Sequence, residues 1–357
     1  MIKRKAYDFS PNYMHIVDAA WNREASRLPI YEQHFNRKLF KDIMGVDAND
    51  LQNSANSEER RKGYPMQWAF FRELGLDVGL FDFWVNPTMH GCGALDGGPG
   101  VIEDREDFEK YPWESIPDVF FQKIEPQIYA MMETRPDDMM ALGGAGNGPF
   151  EMVQNIVGYI NLCYIRTDDE ALFDDLFTYM GRAIEAIWTR FMRDYGEAFC
   201  VMRFCDDLGI NHQTLLAPDD IRRCIIPTYR KVTDIVHKYE KPFVLHSCGN
   251  TNAVIDDIIT KGGINAKHSN EDVIMPFAEV VARDGDRIGN FGGLDVSVLT
   301  TESPENIRKM TLEYLEKIQG NGGIAFSSGS SVPEYVPIAN YLAMNEAVRD
   351  WRGDKQI

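Results

Sequence analysis

Between residues 199 and 350 the sequence passes through five strand-then-helix units in succession, and few folds accommodate that order. Short β-like runs at 199–204, 242–246, 263–267, 287–291 and 323–326 are each followed by a helical stretch, at 218–239, 252–260, 272–283, 304–320 and 337–350. A strand can return parallel to its neighbour only through a long crossover, and helices supply it, so the pattern predicts a parallel sheet wrapped in helices. The helix starts are written in the local chemistry. Asp219 and Asp220 sit in a first turn, where carboxylates favour the helix dipole, and Ser303 followed by Pro304 reads as a cap and first helical position.

The first half can supply three more strands, at 28–32, 78–84 and 139–142, with a long amphipathic helix over 168–195 whose apolar stripe runs from Leu172 to Trp188. Three and five make eight. The expected fold is therefore α/β, a (β/α)8 TIM barrel with an N-terminal helical extension, as one domain over residues 1–357; a doubly wound open sheet is the rival. The polar stretch 53–63 reads as a solvated connection, and the Gly- and Pro-rich stretch 86–100 as a long loop over the barrel mouth.

Composition narrows the function. A formal net charge of −18 excludes a sequence-independent hold on nucleic acid or an anionic membrane, both of which need basic patches. The opening residues lack the apolar stretch of a secretory signal, and no run approaches the roughly 20 apolar residues of a membrane span. The six cysteines form no C-x-x-C and read as reduced thiols, which places the expected protein in the cytoplasm.

Barrel enzymes carry their chemistry at the C-terminal ends of the strands. That rule selects Glu32 and His34, the Asn86–Cys92 loop, Gly146–Glu151, Cys205–Asp207, His246–Asn250, His268–Asp272, Asp295 and Ser327–Ser331. His246-Ser247-Cys248 stands out, because alternate strand residues point the same way and an imidazole nitrogen and a thiolate could face one zinc ion. A packed histidine beside a buried thiol is the plainer alternative. Asp206 and Asp207 suit a base, a ligand or a substrate-orienting pair, or else one caps the following turn. His268 and Glu271 are a second acid–base candidate, or a helix start. His90-Gly91-Cys92 repeats the H-x-C spacing on a loop and is read as chance. The run Gly143–Gly148 could cradle a phosphate, but it lacks the spacing of a dinucleotide site.

Several segments together resemble the uroporphyrinogen decarboxylase superfamily of single-domain barrels: Gly148-Pro149-Phe150-Glu151, Asp206-Asp207-Leu208-Gly209, His246-Ser247-Cys248-Gly249-Asn250, Gly292-Gly293-Leu294-Asp295, and the last strand leading to Val332-Pro333. Glu106–Trp113 adds a further match, and the similarity spans roughly residues 25–350. Porphyrinogen decarboxylation in that family needs an arginine-rich N-terminal segment, and residues 27–35 here read RLPIYEQHF. Without those guanidiniums a polycarboxylate would be left unpaired.

The resemblance therefore implies the corrinoid-dependent methyltransferase branch, which moves a methyl group between a corrinoid protein and a small substrate: a methoxy compound, a methylamine, a folate or a thiol. In the thiol-methylating members an H-x-C pair and a later cysteine hold zinc. His246 and Cys248 match the pair, and Ser330 stands where the last cysteine is expected. The resemblance thus implies a zinc whose third ligand comes from Glu151, Asp206, Asp207 or His268, or else a general-acid role for His246. It also implies Asp206, Asp207, His246 and His268 as catalytic groups, and Glu32, Trp84, Phe150, Glu151, Phe204, Asn250 and Ser330 as the substrate's surroundings. No D-x-H-x-x-G run is present, so the corrinoid would arrive on a partner protein; a homodimer is also allowed. A carboxy-lyase and a non-catalytic tetrapyrrole binder are the alternative readings.

Overall fold

The computed structural model describes residues 4–95 and 97–357. Seven strands, β2 (Val78–Phe83), β3 (Met140–Ala145), β4 (Phe199–Cys205), β5 (Phe243–His246), β6 (Ala266–His268), β7 (Gly289–Leu294) and β8 (Ile324–Ser328), pair in sequence order, every pair parallel. A two-residue antiparallel pair, β1 (Tyr7–Asp8) with β9 (Lys355–Gln356), ties the two ends of the described chain together. Helices on the outside of the curled sheet make the fold TIM-barrel-like, as the strand–helix succession predicts.

The eighth strand position departs from expectation. Residues 28–32 meet β8 through one isolated parallel pairing, Ile30 with Phe326, instead of a full ladder. Pro29 has no amide hydrogen to donate and can only accept, which it does from Phe326. On the β2 side the seam is spanned by a side chain. The Arg203 guanidinium donates to the Glu32 and Gln33 carbonyls (3.3 and 3.5 Å), to the Tyr31 hydroxyl and to both carboxylate oxygens of Asp82. Carbonyls that a β2 ladder would have satisfied are thus taken up by a cation inside the barrel.

Strand alternation sorts the remaining side chains. In β4, Arg203 and Cys205 face the interior, whereas Phe204 faces outward and packs edge-on or tilted against Trp188, Tyr229 and Phe243. The apolar stripe expected on the long helix is buried from Leu172 to Trp188, on a helix that runs Glu170–Tyr195 after a separate one at Tyr159–Asp168. A short helix, Met14–Ala20, lies against β4, β7 and β8.

Two other elements differ. Residues 57–63 belong to a helix, Ser57–Glu73, capped by the Asn56 side chain on the Glu58 amide; the charge cluster read as a loop is its solvent-facing first turn. Residues 86–100, of which Asp96 lies outside the described residues, are pinned beside the helix Pro149–Val157: the Gly93 amide donates to the Asn155 side chain, and Val101 and Ile102 to the Ile156 carbonyl. The helix after β4 contains a π turn at Ile221–Ile225, two residues before Pro227, whose missing amide hydrogen breaks the regular ladder.

Candidate functional site

The β5 strand ends at His246, and the next residues fold back over the loop that follows β4. Gly209 and Gly249 make this possible. A Cβ at Gly249, whose φ is +76°, would lie 2.1 Å from the Gly209 carbonyl carbon, so the two loops stack backbone on backbone, and the Asn250 amide donates to the Ile210 carbonyl. This close approach brings the aspartate pair of one motif against the His-x-Cys of the other.

Three donors converge there. His246 Nε2 lies 3.4 Å from Cys248 Sγ and 3.7 Å from an Asp207 carboxylate oxygen, and one ligand atom from each residue falls within 4.8 Å of the others. The Cys248 amide donates to Asp207 at 2.8 Å, which fixes the carboxylate. Ser330 Oγ and Ser269 Oγ each stand 3.5 Å from the thiol. Burial governs the protonation of all three. It holds His246 well below the usual histidine range, reinforced by His268, so its ring is neutral. It pushes the Cys248 thiol up to about 12, reinforced by the Asp207 charge, and raises Asp207 as well.

An imidazole nitrogen, a thiol sulfur and a carboxylate oxygen on one open-sided cluster form a donor set that zinc accepts. A divalent cation between them would reverse the thiol's direction and hold it as the thiolate. With thiolate and carboxylate ionised the set carries two negative charges, the same total as one histidine with two cysteines. Asp207 thereby supplies the charge that Ser330 cannot.

The other expected residues fall into three groups. His268 and Glu151 stand one step behind the donors. His268 Nδ1 is 2.8 Å from His246 Nδ1, and Glu151 accepts the Asp207 amide at 3.2 Å and the Asn147 side chain at 2.9 Å. Glu151 is raised well above the carboxylate range, first by burial and then by Asp206 and Asp207.

Asp206 is not free to act. Its carboxylate accepts from the Glu151 and Phe150 amides (2.9 and 3.3 Å) and from the Tyr229 hydroxyl (2.7 Å), capping the helix Pro149–Val157 from a distant loop. Gly148 is the contact that lets it in, since a Cβ there would lie 2.4 Å from the Asp206 side chain. The helix start that a phosphate could have used is therefore filled.

Phe150 and Phe204 are fully buried core residues, Phe204 packed against Tyr229 on the outward face of its strand, and neither exposes surface to a substrate. Glu32 is also fully buried; both oxygens are engaged by the Ser328 amide (2.8 Å) and hydroxyl (2.6 Å), so it joins strand position to strand instead of meeting a ligand. Asn250 accepts the Asn252 amide and shapes its turn. His90 and Cys92 take no part in the donor cluster. Trp84 lines a cavity of about 370 Å³ with Gln33, His34, Tyr64, Phe71, Asp82 and Arg203, and none of the three donors is among its lining residues.

Sequence reasoning missed Asp82, Arg203 and Lys267, and it took in Ser269 only within the strand-end stretch His268–Asp272. Lys267 donates to the Ser247 and Ser269 carbonyls (3.2 and 3.0 Å), and burial brings its pKa down to about 8. The alternation of β6, with Ala266 and His268 inward, carried the signal for it. Nothing in the sequence pairs Asp82 with Arg203, which are distant in the chain.

The fold and the donor cluster define a barrel enzyme with a metal-competent mouth. The chain belongs to the uroporphyrinogen decarboxylase (URO-D) family, whose model matches residues 81–351. Two curated relatives are the methylcobamide:CoM methyltransferases MtbA of Methanosarcina acetivorans and Methanosarcina mazei. They are 25% and 24% identical, each over 76% of this chain and 78% of its own length. Among solved structures, a methyltransferase from Methanosarcina mazei superimposes with a TM-score of 0.70 at 18% identity, covering 96% of this chain and 99% of its own, which establishes the shared fold. The chain is accordingly placed with the methyltransferase branch of the family. Among the described residues no helix is long and apolar enough to cross a membrane.

Proposed function

We propose that the protein transfers a methyl group between a corrinoid carried by a separate protein and a small thiol, at a zinc ion held by Asp207, His246 and Cys248. The observation that carries this is the convergence of those three donors within 4.8 Å at the barrel mouth. The names of both relatives support a corrinoid and a thiol as reactants. When bound, zinc would supply a Lewis acid that keeps the acceptor thiol ionised at neutral pH. The chain's own residues do the rest. Asp207 is held by the Cys248 amide, and Glu151 holds the Asp207 amide in turn. Ser330 lies beside the thiol with a neutral hydroxyl. Decarboxylation of a polycarboxylate is disfavoured, because the barrel's Arg203 is already paired with Asp82 and buried.

The test is anaerobic and spectroscopic. Purified protein should contain one zinc per chain and bleach the methylcob(III)alamin spectrum when given a thiol such as 2-mercaptoethanesulfonate. His246→Ala and Asp207→Ala should lose both the metal and the turnover. Methoxyaromatics and methylamines with cob(I)alamin form the second arm, and success only there would move the substrate class from thiols to methyl donors. No zinc and no turnover in either arm would overturn the proposal.

A further inference from the structure

The three donors explain which atoms face the cation, but not why His246 offers a bare Nε2 to it. A neutral imidazole carries one hydrogen, on either nitrogen, and only the ring with hydrogen on Nδ1 is a ligand through Nε2. A chain of contacts behind His246 decides between them. At its far end, His268 Nε2 lies 3.2 Å from the Ser328 carbonyl oxygen, which has no hydrogen to give. Ser327 Oγ, 3.3 Å from the same nitrogen, spends its own hydrogen on that carbonyl at 2.6 Å and so presents a lone pair. Both neighbours accept, so His268 Nε2 must be the protonated nitrogen.

The near end follows. With its hydrogen on Nε2, neutral His268 has a bare Nδ1, which lies 2.8 Å from His246 Nδ1. Two bare nitrogens would repel at that distance, so His246 Nδ1 bears hydrogen and its Nε2 is left bare toward Cys248 and Asp207. Both rings are buried, and the Tyr31 ring meets His268 edge-on with centroids 5.0 Å apart, which holds the His268 ring in place.

We infer that His268 is a positioning residue. Through the relay Ser328 carbonyl to His268 to His246 it locks the imidazole in its metal-ligating tautomer and raises the ligand's basicity. His268 itself touches neither metal nor substrate. This assignment rests on the zinc reading above, but its structural core does not, and the test separates them.

The first measurement uses the metal-free wild-type protein with 15N-labelled histidine. Two-bond 1H–15N correlation should show His246 with its hydrogen on Nδ1 and His268 with its hydrogen on Nε2. The second is zinc affinity by competition with a chromophoric chelator. His268→Leu fills the space without an acceptor and should weaken zinc by about 10- to 100-fold, as lost outer-shell partners generally do. His268→Asn, whose amide can accept from one side and donate to the other, should recover most of that loss. Circular dichroism and a thermal melt identify a variant that has failed to fold, and in that case the wild-type spectrum alone decides. His246 with hydrogen on Nε2, or equal zinc affinity in wild type and folded His268→Leu, would overturn the relay. A wild type that binds no zinc yet shows the expected tautomers would sink the metal proposal and leave the relay standing.

Discussion

At the scale of single residues, Glu32 shows how position overrides chemistry. Its carboxyl looked like a substrate contact because it follows a strand, yet it is sealed in the barrel, and burial lifts it from 4.5 to about 8 against the pull of the Ser328 hydrogen bonds. Between those two values the folded chain holds a proton that the unfolded chain has released. Stability is therefore fully present below 4.5 and is lost progressively as pH rises to about 8. Glu32→Gln keeps the shape and an acceptor without the charge. Its melting temperature should match wild type near pH 5 and exceed it near pH 8, and parallel curves would show that Glu32 ionises as freely as an exposed carboxylate. The sequence made the donor residues legible, since His246, Cys248 and Asp207 each sit in a short motif at a strand end. It did not separate Asp207 from Asp206. One peptide step turns the first outward to the mouth and the second inward onto a helix start, and that difference is set by Gly148 at that helix start and by Tyr229 on the helix Ile226–His237.

At the scale of elements, the five C-terminal strand–helix units were readable because each is bounded by local signals: Ser303 caps its helix on the Asn306 amide, and Pro304 opens it. Most observed boundaries lie within a few residues of the expected ones. The first half was harder, because its helices pack all round or carry their charge in the first turn, and because the eighth strand position is completed by a side chain. That seam makes a prediction. Arg203 and Asp82 are both buried inside the barrel, and Arg203 alone joins Asp82 to Tyr31, Glu32 and Gln33. Asp82→Asn leaves a buried guanidinium without its countercharge, which should destabilise the fold by about 3–5 kcal/mol. Replacing both, as Asp82→Leu with Arg203→Met, should recover part of the loss. Denaturant unfolding of the three proteins checks this, and a single variant as stable as wild type would mean that water reaches the pair.

At the scale of the whole molecule, the proposed function requires that a corrinoid held by another protein reach a cluster set in the barrel. The strands of the seven-stranded sheet all point one way, so the segments after β4, β6 and β8 leave the same end of the barrel as the donors. Each of them exposes a large apolar side chain: Ile210 is 48% exposed, Val273 72% and Tyr335 67%. Single exposed apolar residues are ordinary. Three on the loops of one face, on a chain with net charge −18, would give a partner an apolar rim to seat on, where charge alone would favour only a basic surface. The proposed function then predicts a split between two assays. Val273→Asp and Tyr335→Asp lie outside the donor cluster and should leave turnover of free methylcob(III)alamin within about two-fold of wild type. The same variants should raise the KM for the methylated corrinoid protein by about ten-fold, since burying an uncompensated charge at a contact costs one to a few kcal/mol. If the rim faces solvent throughout the reaction, the two KM values will stay together, and the corrinoid must be delivered from another side. Equal losses in both assays would instead mean that the loops shape the site itself, because only a docking surface can distinguish a free cofactor from one carried by a protein.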